Sequence, residues 1–310
     1  MDAVAPSITA LIISFNEEVH IARCIQRIRP LVRRIVVVDS FSTDRTVEIA
    51  RNLGADVYQN PFTTHGAQVQ WGADNTGIDT DWILRMDCDE VLEPGLLDAL
   101  RTRTATLPDD VSALDLKLKV IFRGKFIRWG GYYRTWLTRM WRPGRARMES
   151  RWMDEKLLIE RGRVERITGG DLVDENLRDI GWWTDKHNRY ATLQMIDFVL
   201  REQGVVRDHD EPGAVTPAAK FKRFLRHTVY GGAPLYLRAV LYFVQRYVLR
   251  LGFLDGRRGF VWHSLHGFWF FMLMDAKIDE ARMHIAAHGI DSFPDYLKSR
   301  YGITFALPAS

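Results

Sequence analysis

Alternating apolar strands and amphipathic helices in the N-terminal third predict an α/β fold on a mostly parallel sheet. Three observations carry this. Two uninterrupted apolar runs, Ile8–Ser14 and Arg34–Asp39, read as strands covered on both faces. Between them Ile21, Cys24, Ile25 and Ile28 recur at i, i+3, i+4, i+7, one face of a helix. The connections are short, which implies parallel strands joined by right-handed crossovers.

The elements follow in order. Asn16 is a candidate N-cap for the first helix. Ser42 or Thr43 can cap the second, with Asp44 favoured in its first turn by the macrodipole. Val47, Ala50 and Leu53 then face inward, and Gly54 stops the helix. Residues 55–58 start a third strand and 81–86 form a later one. The middle of the chain, about 111–170, reads as further strands at 115–122, 135–141 and 157–159, with a basic turn Arg142-Pro143-Gly144-Arg145. Residues 178–203 read as helix, and the polar, Gly- and Pro-containing stretch 204–217 as a linker.

The chemistry concentrates at strand ends. Asp87-Cys88-Asp89-Glu90 follows the apolar run Trp82-Ile83-Leu84-Arg85-Met86. Two carboxylates two residues apart at such a place suit Mg²⁺ or Mn²⁺, which take oxygen ligands and often share them with substrate phosphates. Asn16-Glu17 and Asp39 fall at the same rim, where parallel sheets bind ligands. Like charges gathered there repel unless a cation or donor groups compensate. A dinucleotide-binding fold shares the sheet class, but the first strand-helix turn is Ser14-Phe15-Asn16-Glu17-Glu18. It has no Gly-x-Gly-x-x-Gly, and the chain has no Gly-x-x-x-x-Gly-Lys-Ser/Thr loop. A metal is then the natural counter-charge for a diphosphate.

Bulk properties exclude several classes. The 310 residues suffice for one large domain or a domain with an appendage. The two cysteines, Cys24 and Cys88, give neither a disulfide framework nor a Cys-x-x-Cys metal spacing, and fit a reduced cytosolic protein. No basic region followed by an apolar core opens the chain, so no signal peptide is expected. No run of roughly 18–20 apolar residues requires a membrane span.

Charge is uneven along the chain. From Lys220 to Arg258 there are nine Lys/Arg against one acid, Asp255. Leu237, Val240, Leu241, Val244, Val248 and Leu251 lie on one helical face there. Arg238, Gln245, Arg246 and Arg250 lie on the other. Residues 260–274 are apolar nearly all round, with Trp262, Phe268, Trp269, Phe270 and Phe271. This pattern suggests a membrane interface with anionic head groups. The alternative is a helical pair packed on the rest of the protein. No recognisable nucleic-acid module accompanies the basic stretch, so no nucleic-acid partner is expected.

Three stretches then resemble glycosyltransferase family 2. Ala10-Leu11-Ile12-Ile13-Ser14-Phe15-Asn16-Glu17-Glu18 resembles its opening strand. Val36-Val37-Val38-Asp39-Ser40-Phe41-Ser42-Thr43-Asp44-Arg45-Thr46 is similar to its Val-Val-Asp-x-x-Ser-x-Asp-x-Thr signature. Trp82 to Glu90 is similar to its Trp-Ile-Leu-x-x-Asp-Ala-Asp-Glu. Further motifs resemble the branch of lipopolysaccharide-core glucosyltransferases: Thr138-Arg139-Met140-Trp141-Arg142, Met153-Asp154-Glu155-Lys156, the stretch 182–191, and Gly252-Phe253-Leu254-Asp255-Gly256.

The resemblance implies a GT-A fold: a mostly parallel central sheet flanked by helices, with a C-terminal helical, amphipathic extension. It implies a catalytic domain over 1–203, its nucleotide-binding half about 1–110 and its acceptor half about 111–203. The linker 204–217 and a membrane-associating extension 218–310 follow. By position, Phe15 and Glu17 would meet the base and ribose of a nucleotide-diphosphate sugar, and Asp39 would hydrogen-bond the base. Asp87 would touch ribose or metal, and Asp89 would bind the Mg²⁺ or Mn²⁺ that bridges the diphosphate.

The catalytic base would come from Asp154 or Glu155, with Glu155 matching the family position. The alternative for this pair is an ion pair with Arg139, Arg142 or Lys156. The family's Gln-Lys-Asn stands here as Gln68-Val69-Gln70, so a phosphate- or acceptor-facing lysine is missing. The implied activity is inverting, metal-dependent transfer from a UDP-sugar, UDP-glucose by default. The acceptor would be a lipid-linked glycan of lipopolysaccharide core or exopolysaccharide, at the cytosolic face of the membrane. A polyprenyl-phosphate sugar transferase and an inactive membrane-bound scaffold are the rival readings. An oligomer formed through the C-terminal helices is compatible with either.

Overall fold

An apolar stretch broken only by Thr9 places β1 (Ile8–Ser14) at the centre of a sheet. Both faces of this strand are covered, as its apolar run predicts. The computed structural model describes residues 7–149, 151–153, 155–206 and 234–307. They divide into two compact units. One runs to Asp179 and includes Arg250–Phe260; the other takes Ile180–Leu249 and Val261 onward.

In the first unit β1, α1 (Ile21–Ile28), β2 (Arg34–Asp39), α2 (Thr46–Asn52), β3 (Asp56–Gln59), α3 (His65–Asn75) and β4 (Trp82–Asp87) alternate as expected. Then come β5 (Glu90–Leu92), α4 (Pro94–Thr104), β6 (Val111–Phe122), β7 (Lys125–Phe126), β8 (Trp136–Trp141), β9 (Ala146–Met148), β10 (Leu157–Ile159), β11 (Arg163–Arg166) and β12 (Leu172–Glu175). Among the described residues the main sheet runs β3-β2-β1-β4-β8-β6-β12-β5, with β7 and β11 also paired to β6. Strands β1 to β4 are mutually parallel where paired, while β8 is antiparallel to both β4 and β6. From β1 the order proceeds to β2 and β3 on one side and to β4 on the other. In sheets of this kind ligands bind at the carboxyl ends of the strands flanking such a reversal, here β1 and β4.

Two cores hold the sheet. On one face α1 buries Ile21, Cys24, Ile25 and Ile28 against Ile8, Ala10, Ile12, Leu84 and Met86, each isoleucine contributing about 1.5–3 kcal/mol. On the other, Val69 of α3 and Met148 of the β9–β10 hairpin pack on Leu11, Val36, Val38 and Ile83.

Several local expectations are corrected. Asn16 does not cap α1: the N-cap is His20, and Asn16 sits at φ 54° in the loop before it. Neither Ser42 nor Thr43 caps α2, which begins at Thr46; the Asp44 carboxylate accepts from the Thr46 amide at 2.9 Å instead. Strand β3 is shifted one residue from the expected 55–58 because Ala55 is a turn-side residue whose amide bonds Ala50 O. The contact boundary falls after Asp179, not 203, because α5 (Ile180–Glu202) packs with the C-terminal helices. Most of the expected linker, from 207 onward, lies outside the described residues.

The second unit comprises α5, α6 (Leu237–Phe243) with a π-helical turn Val244–Leu249, the end of α7 (Gly256–Ser264), α8 (Phe270–His288) and α9 (Phe293–Tyr301). The predicted apolar stripe is real, but Leu237, Val240, Leu241, Val244 and Val248 are exposed. Arg238, expected to be outward, is buried on Asp275 with Nε–Oδ1 at 2.6 Å. The ion pair draws the arginine in and turns the aliphatic residues out. No described helix is long and apolar enough to cross a membrane. His187 stacks on Trp183 at 3.5 Å, and His266 stacks on Trp262 at 4.6 Å.

Burial lowers His187 to about 4 and His266 to about 3. Both imidazoles are therefore neutral when folded and take up protons on unfolding below the ordinary histidine pKa. Their contribution to stability is present at neutral pH and falls as pH drops through 6.5 towards 4. Thermal melts across that range should show a smaller acid loss of Tm in His187→Phe than in the parent protein. Identical pH slopes would show that this cluster does not couple to folding.

Candidate active site

The strand ends are cross-linked before any ligand arrives. Register places Ser14 beside Asp39 and Ile13 beside Asp87. Asp39 is fully buried. Its carboxylate accepts from Ser14 Oγ at 2.9 Å, from Ser42 N at 2.8 Å and from Ser42 Oγ at 2.5 Å. Ser42 Oγ in turn accepts from Asn16 N at 2.8 Å, and Asn16 Oδ1 accepts from Thr43 N at 2.8 Å. The loops after β1 and β2 thus close on each other through side chains that the family-like motifs supply. Phe15 and Phe41 stand exposed on this rim, and Asn16 and Phe41 hold left-handed backbone at φ 54° and 60°. For a phenylalanine that conformation is uncommon and persists only where the surroundings enforce it.

Glu17 is held behind the rim. Its Oε2 is 2.6 Å from His20 Nδ1, while His20 Nε2 accepts from the Leu177 amide at 2.9 Å. The second bond assigns the ring proton to Nδ1, facing Glu17. Arg23 of α1 reaches the other flank, donating to the main-chain oxygens of Asp89 at 3.2 Å and Glu175 at 2.6 Å.

Around Asp87 three cations meet three carboxylates. Arg139 Nη2 donates to Asp87 Oδ2 at 2.7 Å and also to Glu90 Oε1. Glu90 Oε2 accepts from the Asp87 amide at 3.0 Å. His65 Nε2 lies 3.3 Å from Asp87 Oδ1, and His65 Nδ1 lies 2.5 Å from Glu155 Oε1. Arg85 Nη2 approaches both ring nitrogens at 3.1 and 3.2 Å and Glu155 Oε1 at 4.0 Å.

Burial works to raise the Asp87 pKa, but Arg139, Arg85 and His65 outweigh it and hold the carboxyl well below the usual range. Burial pushes Glu90 up to about 8, with Arg139 opposing and the Asp87 charge adding. Burial also works to raise Glu155, yet its bond and charge interaction with His65 bring it below the ordinary glutamate value. Burial and Arg85 oppose the His65 cation, but Asp87 and Glu155 prevail and raise it.

Glu155 reaches this cluster from the tip of the β9–β10 hairpin. Its side chain is 6% exposed. The approach requires Gly66 in the first turn of α3: a Cβ there would stand 2.8 Å from Glu155 Cγ and 2.9 Å from Glu149 O. Gln70 braces the hairpin, its Oε1 accepting from Met148 N at 2.8 Å. Gln68 is buried and ties Ser40 Oγ to Asn60, so it is a cross-link between the loops after β2 and β3. Asp154 lies outside the described residues.

The arrangement tests the two candidate metal ligands differently. Both oxygens of Asp87 face cationic side chains. Asp89 is half-buried, and its Oδ2 accepts from Asn176 Nδ2 at 3.1 Å. Among the described residues no group of three or more His, Cys, Asp or Glu forms a cage for an ion. An ion held by Asp89 would have to take its remaining oxygens from a diphosphate and water.

The sequence reading missed His65, Arg85 and Glu90 and used Arg139 only as a candidate ion-pair partner. Arg85 carried a signal: a lone arginine in an otherwise buried strand needs acidic partners. His65 carried none, because α3 lacks a clear apolar period.

Arg139→Met leaves the buried Glu90 and the half-buried Asp87 without their shared cation and should cost about 3–5 kcal/mol. Adding Glu90→Gln should recover part of the loss. Urea unfolding at neutral pH measures both, and an unchanged midpoint for Arg139→Met would show that the cluster does not stabilise the fold.

Residues 9–151 match the family described as Glycosyl transferase family 2, a match that ends just before Glu155. An uncharacterised glycosyltransferase of Rickettsia typhi is 36% identical over 118 residues, 38% of this chain and 40% of that protein. The succinoglycan biosynthesis protein ExoA of Rhizobium meliloti is 34% identical over 101 residues, 28% of this chain and 31% of its own length. The chain thus spans about two fifths, or less, of the relatives it matches. The crystal structure of glucosyl-3-phosphoglycerate synthase from Mycobacterium tuberculosis with Mn²⁺, UDP and glucosyl-3-phosphoglycerate aligns with 38% of this chain and 45% of that one, at 24% identity and a TM-score of 0.31. Residues 9–151 of this chain thus match glycosyl transferase family 2, and they lie on the mixed α/β sheet, parallel across β1 to β4, that the motifs predict.

Proposed function

We propose that the protein transfers a sugar from a nucleotide-diphosphate donor to a lipid-linked glycan, with inversion at the anomeric carbon. The observation that carries this reading is that His65 and Arg85 join Asp87, two residues before the rim carboxylate Asp89, to the buried carboxylate Glu155, beside a stretch that matches family 2. Exposed Phe15 suits a nucleobase face, and the bonded loops of Glu17 and Asp39 shape its surroundings. In this reading Asp39 acts on the base through the loop it fastens, since its own oxygens are occupied by Ser14 and Ser42.

A Mg²⁺ or Mn²⁺ ion held by Asp89 and the diphosphate supplies Lewis-acid stabilisation of the leaving group when bound. Asp87 orients the cluster and contributes negative charge near the ribose. Glu155 is ionised at neutral pH and accepts the proton of the acceptor hydroxyl as that oxygen attacks the anomeric carbon; the bond to the diphosphate breaks on the opposite face. Asp154 is the neighbouring candidate for the same role. A single base suffices because no covalent sugar-enzyme intermediate forms, unlike in a retaining hydrolase.

UDP-glucose is the default donor. Lipopolysaccharide-core or exopolysaccharide synthesis is the proposed setting, in line with the role of the Rhizobium relative in succinoglycan biosynthesis. Work at the inner face of the cytoplasmic membrane is supported by the exposed aliphatic row Leu237, Val240, Leu241, Val244 and Val248.

UDP release from a panel of nucleotide sugars with Mn²⁺ or Mg²⁺ tests the reading. One donor should turn over, and Asp89→Ala should abolish that turnover. Glu155→Gln should lower it roughly 10²–10⁴-fold with nucleotide binding retained. A protein that binds no nucleotide under these conditions would sink the transferase reading, and full activity of Glu155→Gln would move the base to Asp154.

A further inference from the structure

We propose that Arg250–Phe260, with the turn it clamps around Arg128 and Trp129, is a docking surface of the catalytic unit for an anionic lipid bilayer. The inference deepens the membrane part of the reading above and relocates it from the C-terminal helices to the unit that carries the active site.

The segment is fixed, not loosely draped. Asp255 is buried, and its two oxygens accept from Arg128 N at 3.2 Å and Trp129 N at 2.9 Å. Gly130 N donates to Arg250 O at 2.9 Å. Gly259 is pressed so closely on Asp255 that an added Cβ would stand 2.2 Å from Asp255 Cβ. The Gly252-Phe253-Leu254-Asp255-Gly256 motif thus has a physical purpose: its acid points inward and staples the segment to the sheet.

What remains outward is apolar and cationic. Leu254 is 51% exposed and Phe260 49%, and Leu251, Phe253 and Trp129 are exposed as well. Water-facing leucine and phenylalanine at this density add nothing to the unit's own stability and mark an interaction surface. Arg250, Arg257 and Arg258 are exposed among them. From the neighbouring β6–β7 stretch, Arg123, Lys125 and Arg128 add three more exposed cations, and the Arg258 guanidinium lies 3.7 Å from the Cβ position of Gly124. Asp255 is the one acidic residue in 123–130 and 250–260 together, and it is used internally.

Six cations without an exposed counter-charge around leucine, phenylalanine and an interfacial tryptophan match an anionic headgroup layer over an acyl boundary. Position supports the same occupant. Strand β6 is parallel to β12 and antiparallel to β8, which is antiparallel to β4. The β6–β7 turn therefore lies at the same carboxyl-end rim as Asp87 and Asp89. A bilayer there would deliver a lipid-borne hydroxyl on the side where the reaction is proposed.

Flotation of the full chain with vesicles of equimolar phosphatidylglycerol and phosphatidylcholine tests the proposal. The parent protein should float with these vesicles and not with pure phosphatidylcholine, and added salt should release it. Arg257→Glu/Arg258→Glu should lower binding at least roughly tenfold, since each basic side chain near the surface counts. Leu254→Ser/Phe260→Ser should lower it as well. Both double variants should keep the UDP-release rate measured without vesicles, which separates loss of docking from loss of fold or of the transferase site. Failure of the parent protein to bind the anionic vesicles would overturn the proposal. So would undiminished binding by both double variants, including the case where binding is lost only on Leu241→Ser/Val244→Ser.

Discussion

One buried cation, the Arg139 guanidinium, organises the acidic rim. It comes from β8, the strand that runs against its neighbours, and reaches Asp87 at the end of β4 and Glu90 at the start of β5. Without it, two carboxylates three residues apart in sequence would share a low-dielectric corner with their charges opposed. With it, Asp87 is held ionised and the upward push of burial on Glu90 is opposed. The shared cation lets the Asp87-Cys88-Asp89 turn keep a tight shape at the rim. The cost of burying an arginine is met by excellent geometry and by two acidic partners. The cysteine inside the turn is buried and donates to Ile13 O at 3.3 Å, so it is packing, not a nucleophile.

The same logic of paired polar groups recurs at each strand end. Asp39 fastens Ser14 and Ser42, Glu17 holds His20, and Arg23 reaches two carbonyl oxygens at once. These contacts explain why the loops after β1 and β2 are rich in Asn, Ser, Thr and Asp. Each residue satisfies a backbone group that a ligand-facing loop leaves bare. Rigidity at this rim therefore comes from side chains, which leaves main-chain shape free to strain at Asn16 and Phe41.

Much of this was legible in the sequence wherever one period or one motif dominated. The bounds of β1, β2 and β10 follow directly from their apolar runs. The positions of Asp39, Asp87 and Asp89 follow from the strands that end beside them. Helix α3 was not legible, because Gly66, Gln68 and Gly72 are buried there for close contact and cross-linking, so its hydrophobic period is erased. With α3 unread, His65 had no address, and the link from Asp87 to Glu155 could not be drawn. The burial of Arg238 was equally hidden, since it depends on a long-range pair with Asp275.

The β9–β10 hairpin has a consequence for how such a site diversifies. It forms a two-stranded sheet of its own, joined to the main body through Gln70, Gly66 and His65. The aspartates are anchored in the large sheet, whereas Glu155 rides on a small appendage with few attachments. A lineage could lengthen, shorten or re-aim that appendage without rebuilding the sheet. Under the proposed roles, change on the acceptor side would then outpace change on the donor side, and close relatives would keep one nucleotide habit while parting company over what they decorate.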